Sequence, residues 1–495
     1  MSFGMRTLRA IAFALLLVAL GLIVNAYRRP AAPHHTQPPP PIAATDERRI
    51  AEHLSQAIRI QTISHQDASA DDHAQFAALR SFLSATYPRL HTALAHEQIG
   101  GDGLLYVWPG RDPKATPILL LAHQDVVPVE PGSEARWTHP PFDGAIADGF
   151  VWGRGALDDK GPLIGLFEAI ESLLAEGFQP QRTVYLASGF DEEVGGAQGA
   201  LAIARELSRR NMHFSWVLDE GGSATQGIVP FIERPIVAVS VAEKGYVSVE
   251  LVAHGEGGHS SAPPARTSVG LLAAAIVRLE DSPFEPRLLP IVRDNLETYA
   301  PEMPLLQRVA LTNLWLTSPL VLRELARRRE SNPSVRTTTA PTMLSAGVKE
   351  NVLPESAHAI VNFRILPGES SAEVVDRVRR VIADRHVDAT RLRRTVAEPA
   401  PQSSTTGPGY RALRDAALAI FPDAIATPGM TYGLTDSRHF LAIADDVYRF
   451  VPRLMLASDM KRMHGTDERA SLTSLGLMVE GYRRILKAGV GSAQN

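Results

Sequence analysis

The chain contains no cysteine in its 495 residues. This absence excludes disulfide bonds, thiolate catalysis and sulfur-based zinc sites, so any metal ion must be held by imidazole and carboxylate groups. An excess of basic residues is also missing: the formal net charge is -4 at pH 7, and this balance gives no indication of nucleic-acid binding. No G-x-S-x-G segment occurs, which argues against a serine hydrolase of that type.

The amino terminus, by contrast, carries a long apolar segment. It runs from Ala10 to Ala26, with basic residues on both sides. As a helix it would span roughly 25 Å, near the lower limit for a bilayer core. Two interpretations of residues 1–29 remain open. They form either a single-pass membrane anchor, with the body outside the cytoplasm, or a signal segment cleaved near Ala26, which leaves an exported, soluble protein. The length of the run favours the anchor.

The composition then changes along the chain. Residues 30–44 are rich in proline and read as an extended linker. From residue 45 onward, short hydrophobic strands alternate with helical patterns, which predicts an α/β domain built on a mostly parallel sheet. Near Glu243 the pattern changes to longer alternating strands and a helical stretch. We therefore predict one domain formed by residues 45–243 and 398–490, with an α+β domain, residues 244–397, inserted into it.

Several short segments contain histidine and carboxylate residues that are candidates for metal binding and catalysis. Most of them follow a hydrophobic strand or a Gly-rich stretch, and strand ends of this kind meet at one edge of a parallel sheet. Taken singly, each segment is also compatible with a solvated turn or a surface histidine, but together they supply ligands for two metal ions. Two such ions can activate water for hydrolysis. The segments are His123-Gln124-Asp125, Asp158-Asp159-Lys160-Gly161, Asp191-Glu192-Glu193, Asp219-Glu220-Gly221 and His464-Gly465-Thr466-Asp467.

In this order, the segments resemble the zinc aminoacylase and carboxypeptidase family over about residues 45 to 490. The likeness is strongest to its carboxypeptidase S branch, which has relatives acting on N-acyl amino acids. The resemblance implies two zinc ions, although cobalt or manganese could occupy the same ligands. It also implies a cis peptide bond between Asp158 and Asp159. The roles it implies are Asp158 as the bridging ligand, His123 and Asp219 on one metal, Glu193 and His464 on the other, Glu192 as general base, and Asp125 as the partner of His123.

By the same resemblance, the inserted domain is a lid that contributes to substrate binding. His259 would reach the substrate carbonyl, Asn351 and Gly433 would lie beside the substrate, and Arg364 would bind its free carboxylate. The implied activity is cleavage of an amide next to a free carboxylate, as in a carboxypeptidase acting on short peptides. An aminoacylase acting on N-acyl amino acids would use the same site and stays open. A catalytically dead binding ectodomain is disfavoured, because the whole ligand set and Glu192 are present. The lid could also support a homodimer.

Overall fold

The structure, a computed structural model, describes residues 2–34, 38–41, 44–392 and 396–490. Parts of the predicted linker, residues 35–37 and 42–43, lie outside the described residues. The α-helices are α1 (Ser2–Arg28), α2 (Ala44–Arg59), α3 (His73–Thr86), α4 (Pro88–Ala93), α5 (Lys160–Ala175), α6 (Ala200–Arg209), α7 (Ser268–Asp281), α8 (Pro290–Tyr299), α9 (Leu305–Thr312), α10 (Leu314–Arg327), α11 (Asn332–Val335), α12 (Ser371–Ile382), α13 (Pro408–Ile420) and α14 (Leu472–Gly489).

The strands alternate with these helices, as the sequence pattern predicts. They are β1 (Ala95–Ile99), β2 (Gly103–Trp108), β3 (Ile118–Leu121), β4 (Ile146–Ala147), β5 (Phe150–Trp152), β6 (Val184–Ser188), β7 (Phe214–Gln226), β8 (Ile236–Glu243), β9 (Gly245–His254), β10 (Gly258–His259), β11 (Thr338–Ala346), β12 (Val352–Leu353), β13 (Ser356–Ile365), β14 (Val387–Arg391), β15 (Ile425–Thr431), β16 (Ala444–Leu456) and β17 (Arg469–Ser471).

The chain forms two compact units. The larger unit takes its described residues from Ala32–Val241, Gln402–Gly429 and Thr435–Asn495. Its main sheet has the strand order β1-β2-β6-β3-β7-β16-β8-β15. The four central strands, β6, β3, β7 and β16, pair in parallel, and antiparallel pairs lie outside them. The predicted α/β class is confirmed. Because the central strands are parallel, their carboxyl ends meet at one edge of the sheet.

A buried apolar cluster fixes the central strands of the larger unit. Leu119 of β3 and Val217 of β7 pack with Ile203 and Leu207 of α6, and all four side chains are fully buried. The inward residues of α6 recur at helical spacing, which gives this short helix a single apolar face against the sheet. Burial of side chains of this size contributes about 1.5–3 kcal/mol each, which is sufficient to hold the strand ends rigidly. The loops that follow these strand ends therefore begin from a well-packed part of the sheet.

The smaller unit takes its described residues from Met1–Ala31, Ala242–Pro401 and Met430–Leu434. It contains an antiparallel sheet with the order β11-β13-β9-β14. Side chains of β13 alternate between buried and half-buried along the strand, as expected for a sheet with one covered face. Helices α7 and α12 supply the apolar residues that complete this core. The unit is α+β in composition, and it also contains helix α1.

Candidate active site

Apart from Asp158, the predicted ligands of the larger unit lie towards the carboxyl ends of its parallel strands. His123 follows β3, and the turn containing Glu192 and Glu193 follows β6. Glu220 lies within β7, beyond the residues that pair with β3, and His464 lies after β16. Residues that are hundreds of positions apart in sequence are therefore carried to the same edge of one sheet.

Asp158 lies at the centre of this set. It is located between β5 and α5, and its peptide bond to Asp159 is cis, which confirms that prediction. Its Oδ1 atom lies 3.0 Å from Nε2 of His123, and its Oδ2 atom lies 2.9 Å from Nε2 of His464. Each imidazole faces a different oxygen of one carboxylate. A carboxylate that bridges two cations needs this arrangement.

Two groups of ligand atoms share Asp158. His123, Asp158 and Glu220 form the first group, and Asp158, Glu193 and His464 form the second. Within each group the donor atoms lie within 4.8 Å of one another. Hydrogen bonds to Asp158 and Glu193 raise the pKa of His464 to about 10, so the surroundings favour positive charge. Burial raises the pKa of Glu220 well above its ordinary value, and that of Glu193 in the same direction. Carboxylates and imidazoles so arranged fit two metal ions.

The third member of the first group is Glu220, the neighbour of the predicted Asp219. Glu220 Oε1 lies 3.7 Å from Nε2 of His123. The carboxylate of Asp219 is buried, and its two oxygens accept hydrogen bonds from the backbone N–H groups of Glu220 and Ser437, at 2.9 and 2.7 Å. The structure thus does not bring Asp219 into either ligand group. Successive side chains of a strand point to opposite faces, so only one of the two carboxylates can face His123.

Asp125 holds both His123 and the turn that follows β6. The Nδ1 atom of His123 lies 3.0 Å from the carbonyl oxygen of Asp125 and 3.2 Å from its Oδ1 atom. A proton on Nδ1 satisfies this contact and leaves the Nε2 lone pair for a metal ion. The carboxylate of Asp125 also accepts hydrogen bonds from the backbone N–H groups of Glu192 and Glu193 and from the hydroxyl of Ser64.

Glu192 is set apart from the ligand groups. Its side chain is buried, and within the part of the chain that the structure describes it belongs to neither group. Burial raises the pKa of Glu192 well above its ordinary value, a shift that His123 opposes and Asp436 adds to. A carboxyl group with a raised pKa beside two candidate metal-binding groups is suited to accept a proton and return it.

Sequence reasoning missed the pair Arg154 and Glu468, which holds the loop of Asp158. Glu468 is fully buried. Its Oε1 atom accepts hydrogen bonds from the backbone N–H groups of Gly155, Leu157 and Asp158, and its Oε2 atom accepts one from Arg154 at 2.6 Å. Arg154 also donates to the carbonyl oxygen of His464. The available signal was weak, since it consisted of an arginine inside the Gly-rich segment and an acidic residue four positions after His464.

The remaining predicted residues belong to the smaller unit. His259 lies in β10, where its Nδ1 atom is 2.8 Å from the hydroxyl of Ser261. Asn351 lies near it, because the Asn351 carbonyl oxygen accepts a hydrogen bond from Ser260 N–H. Arg364 lies in β13, with its guanidinium 4.6 Å from the ring centre of Tyr246.

Gly433 belongs to the same unit and has open space around its α-carbon.

Comparison with known proteins gives a consistent picture. Residues 119–488 match Peptidase family M20/M25/M40. The chain is 37% identical to "Probable carboxypeptidase S-like 2" of Dictyostelium discoideum, over 88% of this chain and 84% of that protein. It is 34% identical to "N-fatty-acyl-amino acid synthase/hydrolase PM20D1" of Xenopus tropicalis, over 98% and 95%. An M20 family metallo-carboxypeptidase from Sulfolobus solfataricus shares the fold, with a TM-score of 0.66 at 20% identity, covering 88% of this chain and 98% of that one.

The fold and the paired ligand groups define a metal-dependent α/β hydrolase. The chain belongs to Peptidase family M20/M25/M40. The predicted likeness to the aminoacylase and carboxypeptidase family, with carboxypeptidase S among its relatives, is thereby confirmed.

Proposed function

We propose that the protein is a di-zinc hydrolase that cleaves an amide or peptide bond next to a free carboxylate, as a carboxypeptidase on short peptides. The observation that carries this proposal is the carboxylate of Asp158, whose two oxygens face His123 and His464. A second candidate, hydrolysis of N-acyl amino acids, is favoured by the likeness to N-fatty-acyl-amino acid synthase/hydrolase. Both reactions break the same kind of bond. A dead binding ectodomain is disfavoured by the complete ligand groups.

We assign the metal ligands from the geometry of the larger unit. His123, Asp158 and Glu220 would hold one ion, and Asp158, Glu193 and His464 would hold the other. Imidazole and carboxylate donors without sulfur suit zinc, and cobalt or manganese could also occupy them. When bound, such ions supply polarisation of the substrate carbonyl and acidification of a water molecule.

In this assignment Glu220 takes the ligand role that the family resemblance implies for Asp219. If this assignment holds, Glu220→Gln should bind one metal ion fewer than the unmutated protein, whereas Asp219→Asn should retain both. Elemental analysis of the two purified variants compares them directly. The reverse result would return the ligand role to Asp219.

Glu192 is the group we assign to proton transfer. It would take a proton from the attacking water and later return it to the leaving amine. Asp125 positions it through the backbone N–H of Glu192 and orients His123 at the same time. The raised pKa of Glu192 fits a group that must hold the proton between these two events.

The smaller unit would supply the residues that recognise the substrate. We propose residues 244–397 as a lid inserted between the two parts of the catalytic domain, residues 45–243 and 398–490. His259 would stabilise the oxyanion, and Asn351 and Gly433 would lie along the substrate. Arg364 would bind the free carboxylate, since a guanidinium offers two parallel N–H donors to a carboxylate.

Helix α1 would anchor the protein in a membrane, with the body outside the cytoplasm. Residues Thr7–Arg28 are long and apolar enough to cross a bilayer. The proposed cleavage site for a signal peptide is packed into the structure, since Ala26 is buried and its carbonyl oxygen accepts a hydrogen bond from Arg308. This packing favours retention of the helix. The full chain should then stay in membranes after an alkaline wash, and recovery in the soluble exported fraction would favour cleavage near Ala26.

A homodimer through the lid is supported by strand β11, which lies at the edge of its sheet with Met343 and Leu344 exposed. An edge strand of this kind offers unpaired backbone groups to a second copy. The mass of the detergent-solubilised protein, measured by sedimentation equilibrium, tests this arrangement, and a monomer at all concentrations would contradict it.

The reaction itself is tested with substrates that share one carboxyl-terminal amino acid. Full-length protein loaded with zinc is given a dipeptide, an N-acyl amino acid and the carboxyl-terminal amide of each. We expect both acids to be cleaved and both amides to react poorly. Arg364→Ala should lose most of this preference, whereas equal cleavage of acid and amide by the unmutated enzyme would exclude carboxylate recognition. The ratio of kcat/KM for the dipeptide to kcat/KM for the N-acyl amino acid decides between a peptidase and an aminoacylase.

A further inference from the structure

Helices α9 and α10 of the smaller unit expose an unusual number of large apolar side chains. We call this set the apolar patch; its members are Leu305, Leu306, Trp315, Leu316 and Leu320. Leu306 is 82% exposed, Trp315 72% and Leu320 67%. Single exposed leucines are common on soluble proteins, but five large apolar side chains exposed on two successive helices fit a surface that meets another apolar phase.

The exposed face of α10 changes character along its length. Trp315, Leu316, Pro319 and Leu320 occupy its first turns, and the positions that follow at the same helical spacing are Arg323, Glu324, Arg327 and Arg328, all exposed. Positions i and i+4 lie on one side of a helix. A helix with an apolar first half and a charged second half on one face fits the boundary between hydrocarbon and lipid head groups.

Contacts with α1 place the patch at a defined level. The side chain of Asn313, between α9 and α10, donates to the carbonyl oxygen of Leu22 and accepts from Asn25. Leu22 lies six residues before Arg28, the end of the candidate span, a separation of roughly 9 Å along a helix. Trp315 follows Asn313 by two positions. Interfacial helices bury their apolar face about 5–10 Å into the head-group boundary, so the level of Asn313 fits such a depth.

Basic residues lie at the outer end of the same region. Arg28 and Arg29 line a cleft of about 430 Å³ together with Asn25, Pro30, Glu297 and Thr312. Arg29 also forms an ion pair with Glu297. Arginines at the end of a membrane span meet the phosphate groups of lipids. The start of α10 therefore lies beside the apolar part of α1, and the basic residues lie at the end of the candidate span.

We propose that the apolar patch is a second membrane contact, which dips into the outer leaflet beside α1. Its partner is a lipid bilayer, with acyl chains against Leu306, Trp315 and Leu320 and anionic head groups against the arginines in and just after the second half of α10, Arg323, Arg327 and Arg328. The inference rests on the proposed membrane anchor. It is independent of the hydrolytic reaction. Such a contact would hold the smaller unit at the membrane surface instead of leaving it on a free tether.

The absence of cysteine allows a direct test. Single variants Leu306→Cys and Leu320→Cys of the full-length protein are labelled with a fluorophore and reconstituted in phosphatidylcholine–phosphatidylglycerol vesicles. Quenching by brominated lipids and by aqueous iodide is then compared. The label at Leu15→Cys, inside α1, shows whether the anchor helix lies in the bilayer. Val348→Cys, an aliphatic residue of the same unit that is 98% exposed, reports a surface in water.

We expect the labels at 306 and 320 to be quenched by brominated lipid at least several-fold more than the label at 348, and to be protected from iodide. If only the label at 15 is quenched by lipid, the anchor stands and the membrane contact of the patch is refuted. If no label is quenched by lipid, the anchor fails as well. Protection of 306 and 320 from both quenchers would assign the patch to a protein partner, such as a second copy, and overturn the proposal.

Discussion

The substitution Glu468→Gln probes how Asp158 is held between its two imidazoles. Glu468 is fully buried and combines four contacts in one carboxylate. Oε1 accepts backbone hydrogen bonds of 3.1, 2.8 and 3.1 Å from Gly155, Leu157 and Asp158, and Oε2 accepts a charged one of 2.6 Å from Arg154. Glutamine keeps the shape and one carbonyl oxygen. It removes the negative charge and turns an N–H₂ donor toward a guanidinium that can only donate.

The expected losses of stability and metal affinity can be estimated from these contacts. Removal of one partner of a buried ion pair costs about 3–5 kcal/mol. Because the remaining oxygen can still accept the backbone N–H groups, we expect the free energy of unfolding to fall by about 2–4 kcal/mol. Arg154 also donates to the carbonyl oxygen of His464, so its displacement moves two ligands together. Loss of such supporting contacts typically reduces metal affinity or activity by about 10–100-fold.

The assay compares three measurements on each variant: thermal melting, metal affinity by competition with a chelator, and kcat/KM for the best substrate. Glu176→Gln is the matched control, since Glu176 pairs with Arg483 and Lys487 at the surface with 46% of its side chain exposed. An exposed pair of this kind contributes about 1 kcal/mol or less. Equal melting temperature and metal affinity in the two variants would refute the positioning role of Glu468.

Three further substitutions test the site and its support. Glu192→Gln should reduce turnover by about 100- to 10,000-fold while both metals stay bound; loss of metal on elemental analysis would make Glu192 a ligand. Asp158→Ala should lose both ions together and melt earlier in the presence of zinc, and retention of two tightly bound ions would disprove the bridge. Burial opposes ionisation of Glu168, but the hydrogen bond from His53 and the charge of Arg49 hold the pKa of Glu168 below its ordinary value. Its stabilisation is therefore present above the unfolded pKa, about 4.3, and lost as pH falls through the lower folded pKa. The melting temperature of the unmutated protein should exceed that of Glu168→Gln by less below about pH 4 than above it. A constant difference in melting temperature down to about pH 3 would contradict this assignment.

The sequence predicts where the candidate site lies because strand ends are marked by composition. Apolar runs before His123 and before the Asp191-Glu192-Glu193 segment predict buried strands, and the structure has β3 and β6 there. Parallel pairing then brings the residues that follow these strands to one edge. The alternation of strands and helices was sufficient for the α/β class for the same reason, since each element buries one apolar face.

The proposal of Glu220 rather than Asp219 as a ligand rests on the structure, because neighbouring carboxylates of a strand differ only in the face they occupy. The face depends on the register of β7 against β3, where Leu120 pairs with Leu218, and a shift of one residue would exchange the two side chains. The amino-acid composition of the segment does not determine the register of β7 against β3. The hydrogen bond from Ser437 N–H to Asp219 adds a second constraint from a segment more than two hundred residues away.

The same limit explains why Arg154 and Glu468 escaped detection. A metal ligand is recognisable because imidazole and carboxylate groups recur with a restricted chemistry, whereas a residue that positions a loop can be any group with the right reach. Glu468 acts on Asp158 across 310 positions in sequence. Glu468 can position this loop only in the folded chain, where three backbone N–H groups of the loop donate hydrogen bonds to one of its oxygens. Candidate ligands, apart from the choice between Asp219 and Glu220, could therefore be proposed from the sequence, but the contacts that hold them in place belong to the folded chain.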